Sequence, residues 1–184
     1  MTQNIYKISI LKLDHRPTRD KRITTHCALI SRAFRANKLY YSGVEDNNLE
    51  NNIKKIVNHW GGDFTIEFTK KPLELVRNFL KEDKGIVIHL TMYGDKLINK
   101  INEINKLKLN KNILIIIGGP KVPREYYELA TYNISITNQP HSEIGALAII
   151  LYMFDPHILE EEDFNNQKIK IIPNNKGKDV VNYE

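Results

Sequence analysis

The sequence predicts an α/β fold in which a mostly parallel sheet is covered by helices on both faces. Segments rich in β-branched residues alternate with helical segments of about 10 to 15 residues, the pattern of parallel strands joined by crossover helices. The later strand segments, such as Ile113–Ile117, are apolar at every position, as strands buried on both faces are. Together these two observations favour the α/β class.

The first half of the chain contains three strand segments, each followed by a helical segment. In order they are a strand from Ile5 to Leu13, a helix from Thr24 or Thr25 to Arg35, a strand at 39–41, a helix with an apolar face over 49–60, a strand at 64–68 and a helix opened by Pro72. Threonine is a good N-cap, paired glycines end a helix at 61–62, and proline is favoured at the first helical position.

The second half repeats this alternation. It predicts a strand at 86–91 with a turn at Met92 to Gly94, a helix at 97–104, a strand at 113–117, a short helix from Pro123, a strand at 134–136 and a helix from about Ser142 to Met153. From Asp155 onward an acidic run precedes apolar residues set among lysines. We therefore predict one domain over 1–154 and an appendage over 155–184.

Composition restricts the class of protein. The chain has 184 residues, 41% hydrophobic and 27% charged, which predicts one folded domain. Its single cysteine, Cys27, cannot form an internal disulfide, which favours a reducing compartment. The sequence shows neither the pattern of a signal peptide nor an apolar run of membrane-spanning length. We therefore expect a cytoplasmic protein without membrane contact. The net charge of +5 favours polyanionic partners.

Several common cofactor and catalytic motifs are missing from the sequence. It has no GxGxxG, no GxxxxGK[ST], no HExxH and no GxSxG, and no His, Cys and Asp cluster at metal-ligand spacing. Conventional dinucleotide binding, nucleoside triphosphate hydrolysis, metal-dependent hydrolysis and serine acyl transfer are therefore not expected. No metal is predicted.

The turns at the carboxyl ends of the strands are the expected functional region, since ligands of open α/β sheets bind at that edge. These turns follow Leu13, Leu90, Ile117 and Ile136. The first turn begins the segment from His15 to Arg22, which carries four permanent cations, at Arg16, Arg19, Lys21 and Arg22. Guanidinium groups beside a helix N-terminus are suited to phosphate, although a solvated charged loop is the alternative.

The later turns combine glycine with polar residues. Gly118-Gly119-Pro120 permits close backbone approach to a ligand, but taken alone the motif favours a purely structural turn. The segment 138–143 places polar side chains between a buried strand and an apolar helix, which favours a functional role for the cluster. The alternative explanation for two of these residues, Ser142 and Glu143, is that they cap the helix. Because the helix over 144–153 is apolar all round, it is either central to the core or half of a subunit interface, and in a chain this short we favour the interface.

Four stretches, taken in order, resemble the archaeal tRNA cytidine-56 2′-O-methyltransferases of the SPOUT class. They are HRPTRDKRITTH at 15–26, LTMYG at 90–94, GGPKVP at 118–123 and NQPHSE at 138–143, within a resemblance that covers about residues 5 to 153. The chain departs from the family pattern at Asp14 and Thr137, where glycine is usual, and at Gly119-Pro120, where Ala-Glu is usual.

The resemblance implies a Rossmann-like sheet with a C-terminal trefoil knot over about 85–153, a homodimer formed through the last helix of the knot, and S-adenosylmethionine as cofactor. The pocket for this cofactor would comprise Leu90, Gly118, Gly119, Pro120, Lys121, Val122, Ile136, Thr137, Asn138, Gln139, Pro140, His141, Ser142 and Glu143.

The implied reaction methylates the ribose 2′-oxygen of a T-loop cytidine in tRNA, assisted by an arginine. Arg22 is the preferred candidate, with Arg16 and Arg19 as the others. The alternatives are a SPOUT enzyme acting on another RNA nucleotide and a non-catalytic RNA-binding protein of the same fold.

Overall fold

A computed structural model describes residues 6–19, 22–119, 121–160 and 163–183. The strands are β1 (Ile8–His15), β2 (Lys38–Gly43), β3 (Thr65–Phe68), β4 (Ile86–Lys96), β5 (Ile113–Ile117), β6 (Tyr132–Ser135), β7 (Ile169–Ile172) and β8 (Asp179–Asn182). The helices are α1 (Ile23–Ala33), α2 (Asn47–Trp60), α3 (Pro72–Lys81), α4 (Leu97–Lys108), α5 (Arg124–Leu129) and α6 (Glu143–Phe154), followed by a 3-10 turn at Pro156–Leu159.

The first six strands form one sheet in the order β3-β2-β1-β5-β4-β6, and every pair in it is parallel. The chain builds outward from β1 to β3 on one side and then returns to build β4, β5 and β6 on the other. Its strand order therefore reverses between β1 and β5, and sheets of this kind bind ligands outside the carboxyl ends of their strands. The predicted parallel α/β architecture is confirmed.

Helices cover both faces of this sheet, as predicted. The larger core lies under α1, α2, α4 and α6 and is centred on fully buried residues such as Ile10, Ile115 and Leu147. The smaller core lies under α3 and α5, where Val76 and Tyr126 pack against Leu114. Within the described residues, no helix combines the length and hydropathy that crossing a membrane requires.

The main difference from the sequence prediction concerns the turn at Met92 to Gly94. Leu90 and Asp95 both pair with Ile134 of β6, so the four residues between them form a bulge and β4 resumes at Asp95. The predicted turn is wrong in that the strand continues after it. The second pairing with β6 explains the difference, because it keeps the chain in the sheet until Lys96.

The C-terminal residues form an antiparallel hairpin, β7 with β8, outside the main sheet. The ring of Phe164 packs against the guanidinium groups of Arg32 and Arg35, at 4.4 and 4.3 Å from its centroid. The Gly62 N–H donates to the Asn165 carbonyl at 2.8 Å. Because α1 and α2 end at the amino edge of the sheet, the hairpin lies at the edge opposite to the strand-end turns.

Candidate functional site

A cavity of about 470 Å³ opens at the carboxyl edge of β4, β5 and β6. This volume lies within the usual range for small-molecule sites. Its lining is mixed, with aliphatic side chains, two glycines and a group of polar residues at the start of α6. The lining residues are His89, Leu90, Thr91, Met92, Tyr93, Ile117, Gly118, Gly119, Val122, Tyr127, Ile134, Ile136, Pro140, His141, Ser142, Glu143 and Ala146.

The cavity brings together nine of the fourteen residues assigned to the pocket by the sequence analysis. These are Leu90, Gly118, Gly119, Val122, Ile136, Pro140, His141, Ser142 and Glu143. Pro120 lies outside the described residues. Lys121, Thr137, Asn138 and Gln139 are described and exposed but are not part of the lining.

Asn138 instead connects two of the loops that form the cavity. Its Nδ2 group donates to the carbonyl of Met92 at 2.8 Å and also lies 3.3 Å from the carbonyl of Gly94. The same group lies 3.1 Å from Oγ of Ser135. Asn138 therefore fixes the bulge of β4 to the loop after β6.

Gly94 is the residue that lets this bulge approach β6. A Cβ at this position would collide with the backbone carbonyl of Asn133. Every other amino acid would push the bulge away from β6, so glycine at 94 is required by close packing of two backbones.

The first turn of α6 forms one wall of the cavity. Oγ of Ser142 accepts a hydrogen bond from the Ile144 N–H at 3.2 Å, so the predicted N-cap is present. The Glu143 carboxylate forms an ion pair at 3.0 Å with Nζ of Lys12, a buried residue on β1. Burial, with a smaller effect from Glu143, raises the pKa of the nearby Cys27 thiol to about 12.

Sequence analysis missed a second group of cavity residues, His89, Thr91 and Tyr127. Nδ1 of His89 lies 2.9 Å from Oδ1 of Asn133, and its ring meets that of Tyr127 edge to face at 4.5 Å. Oγ1 of Thr91 lies 3.2 Å from the Tyr127 hydroxyl. Burial lowers the pKa of His89. A lone histidine in the otherwise aliphatic strand 86–90 was the available signal.

The basic loop after β1 is anchored by His15, which is 1% exposed. Nδ1 of His15 lies 2.8 Å from Oγ1 of Thr24 at the start of α1, and Nε2 lies 3.5 Å from Oδ2 of Asp46, the N-cap of α2. The N–H of Leu49 and the hydrogen bond from His15 lower the pKa of Asp46. His15 thus links the end of β1 to two helices and does not contact solvent directly.

The three candidate arginines differ in position. Arg16 forms an ion pair with Asp14 at 3.5 Å, and its Nη2 would lie 3.8 Å from a Cβ placed on Gly119, a residue of the cavity. Arg19 is exposed in the loop, and Arg22 is exposed at the N-cap of α1. Asp20 and Lys21 of this motif lie outside the described residues.

Two departures from the family pattern have clear local geometry. Asp14 has φ of 58°, in the left-handed region that favours glycine, which explains why glycine is usual there. Thr137 is not among the described residues with positive φ, so its backbone does not require glycine. Its Oγ1 accepts a hydrogen bond from the Gln139 N–H at 3.2 Å.

This parallel sheet, with a cavity formed by the turns after β4, β5 and β6, defines a protein with the fold of SPOUT methyltransferases. The TrmH/SpoU tRNA modifying enzyme of A. aeolicus superposes with a TM-score of 0.62 at 16% identity, covering 86% of this chain and 78% of that one. The AdoMet complex of AviRb from Streptomyces viridochromogenes gives a TM-score of 0.56 at 14% identity, covering 87% of this chain and 59% of that one.

Sequence comparison identifies the particular family. Residues 60–181 match the family model described as tRNA ribose 2′-O-methyltransferase, aTrm56. The tRNA (cytidine(56)-2′-O)-methyltransferase of Thermococcus kodakarensis is 46% identical over 179 residues, covering 96% of this chain and 98% of the relative. That of Methanocaldococcus jannaschii is 47% identical over 175 residues, covering 95% and 96%. The chain belongs to this family, and the resemblance seen in its motifs is confirmed.

Proposed function

We propose that this protein transfers a methyl group from S-adenosylmethionine to the ribose 2′-oxygen of cytidine 56 in tRNA, the reaction named for its relatives. The observation that carries the proposal is the juxtaposition of the cavity and the basic loop at one edge of the sheet, in a chain of this family. A reducing, cytoplasmic location fits the buried, unpaired thiol of Cys27.

The residues of the cavity fit the methyl donor. Leu90, Ile134 and Ile136 offer an apolar surface for an adenine ring, and the polar residues at the start of α6 suit the hydroxyl and amino groups of the remainder. The bound donor supplies an electrophilic methyl group on a sulfonium, so the protein has mainly to align it with the attacking oxygen.

Arg16 is the arginine that we now prefer for contact with the reacting ribose. Its guanidinium lies beside Gly119 of the cavity, whereas Arg22 is exposed at the N-cap position of α1. A guanidinium there would orient the 2′-hydroxyl or a neighbouring phosphate. Arg19 and Arg22 would hold the RNA backbone from the exposed part of the loop.

We also propose that the protein is a homodimer and that its C-terminal part forms the knot of the family. Ile149 and Tyr152 of α6 are 46% and 39% exposed, although five other residues of the helix are buried in the core. Such a face is typical of a subunit interface. The contact of Asn138 with the bulge of β4 supports a passage of the C-terminal segment beside that bulge.

The test uses an unmodified tRNA transcript and S-adenosylmethionine tritiated on the methyl group. We expect label at one T-loop ribose, and no label when the transcript carries 2′-deoxycytidine at position 56. Label on a base would contradict the reaction, and label on another nucleotide or on ribosomal RNA would support a different SPOUT specificity. RNA binding without donor binding would support a non-catalytic protein.

The roles of the arginines are separated by comparing Arg16→Ala with Arg22→Ala. We expect Arg16→Ala to lower kcat at least 100-fold while donor affinity is retained, and Arg22→Ala chiefly to raise KM for tRNA. The reverse pattern would return the catalytic assignment to Arg22.

A further inference from the structure

The ion pair between Lys12 and Glu143 lies directly behind the cavity and has no assigned role. Nζ of Lys12 is 3.0 Å from Oε2 of Glu143 and also donates to the carbonyl of Leu13 at 2.8 Å. The side chain of Lys12 is 5% exposed, so its ammonium group depends on these contacts. Lys12 is a charged residue in a central strand, where an aliphatic residue would be expected.

Glu143 belongs partly to the core and partly to the cavity. Its Oε2 atom is inaccessible to solvent, yet 24% of the side chain is exposed, so the rest of the side chain provides that surface. A spherical cavity of 470 Å³ is about 10 Å across, so a ligand that fills it has its charged centre within about 10 Å of Glu143. At that distance an uncompensated charge in a partly buried site changes ligand affinity appreciably.

The proposed reaction makes this charge important. The donor is a sulfonium cation before methyl transfer and a neutral thioether after it. A fixed, unpaired carboxylate would stabilise the cationic reactant relative to the transition state, in which the positive charge is already being lost, and would therefore slow the transfer. An ammonium group that cancels the carboxylate removes this penalty.

We propose that Lys12 is a positioning residue that holds Glu143 at the cavity wall and cancels its charge. This inference rests on the proposed function, because it concerns the binding of S-adenosylmethionine. Lys12 would fix the position of the first turn of α6 through its ion pair with Glu143. It would also make the net charge of this part of the cavity wall zero. The thiol of Cys27 adds no charge near neutral pH, since its pKa is raised to about 12.

The test measures the dissociation constants of S-adenosylmethionine and of S-adenosylhomocysteine by calorimetry at pH 8. Lys12→Met leaves the carboxylate unpaired, and we expect it to shift the preference toward the cationic ligand by about fivefold. Glu143→Gln leaves the ammonium unpaired, and we expect a similar shift toward the neutral ligand. The double variant should return to within twofold of the wild-type ratio.

Opposite shifts in the two single variants distinguish an electrostatic role from a structural one. If both variants weaken the two ligands by the same factor, or if neither changes the ratio, the inference is wrong. Lys12→Arg, which keeps the charge, should keep the wild-type ratio, and melting temperatures without ligand report any loss of folding. If the wild-type protein methylates tRNA but the variants leave the ratio of the two dissociation constants unchanged, only this inference fails. If the wild-type protein does not bind S-adenosylmethionine, the proposed function fails.

Discussion

Replacing Asn138 with alanine tests whether the contact that this residue makes between two loops supports the cavity. Its Nδ2 group carries two hydrogens and has three acceptors within reach, at 2.8, 3.1 and 3.3 Å. It can therefore donate two good hydrogen bonds, each with a net value of about 1 kcal/mol. Asn138 is exposed, so water replaces part of this energy, and we expect a cost of about 1 kcal/mol.

This cost should appear in donor binding, because the bulge of β4 and the loop after β6 both line the cavity. A loss of about 1 kcal/mol in the ordered loop corresponds to roughly fivefold weaker binding of S-adenosylmethionine. We expect the dissociation constant to rise by up to that factor in Asn138→Ala, and the free energy of unfolding to fall by no more than about 1 kcal/mol in urea titrations, because the same hydrogen bonds stabilise the folded state.

Gln139→Ala is the matched control, since Gln139 is also exposed and its described hydrogen bonds use its backbone N–H and carbonyl. Calorimetry should find the affinity of this variant unchanged. An unchanged affinity in Asn138→Ala, or an equal loss in both variants, would show that the contact between the loops does not support the cavity.

Four further outcomes are expected. Gly94→Ala should lower the free energy of unfolding by about 1–3 kcal/mol in urea titrations, because the new Cβ collides with the backbone of Asn133. Gly177→Ala is the control: open space surrounds Gly177, so the free energy of unfolding should change by less than about 0.5 kcal/mol. Asp14→Gly should be more stable than Asp14→Ala by about 1 kcal/mol in the same assay, because residue 14 has positive φ. Ile149→Glu should convert the proposed dimer to a monomer in analytical ultracentrifugation. Burial lowers the pKa of His89, so the imidazole binds a proton more readily in the unfolded chain than in the folded one. The free energy of unfolding should therefore fall as the pH falls through about 6.5. In His89→Gln it should fall less steeply.

The edge of the sheet that carries the cavity was predictable from sequence, because alternating strands and helices specify where carboxyl ends meet. The glycine turn at 118–119 and the polar segment at 140–143 were placed correctly by this rule. The side-chain pairs that shape the cavity were not predictable. His89 meets Tyr127, and Lys12 meets Glu143, only because separate elements are packed side by side, and periodicity carries no information about such partners.

The difference at His15 has a related cause. The charged sequence after Leu13 predicted an immediate loop, but β1 continues to His15 and turns through Asp14, so the first residue of the basic motif is buried. Hydrogen bonds to Thr24 and Asp46 satisfy its ring nitrogens there, which polarity alone does not reveal. The motif is therefore partly a structural anchor.

The end of β1 connects the two halves of the proposed site. Within a few residues of this central strand, Lys12 reaches the wall formed by α6, Arg16 reaches the glycine turn after β5, and His15 fixes the starts of α1 and α2. The proposed donor wall and the proposed RNA-facing loop thus share one support, and their relative position is set by the register of a single strand. Alignment of the attacking oxygen with the methyl group depends on that relative position. The hairpin of β7 and β8, at the opposite edge of the sheet, has no such connection within the described residues.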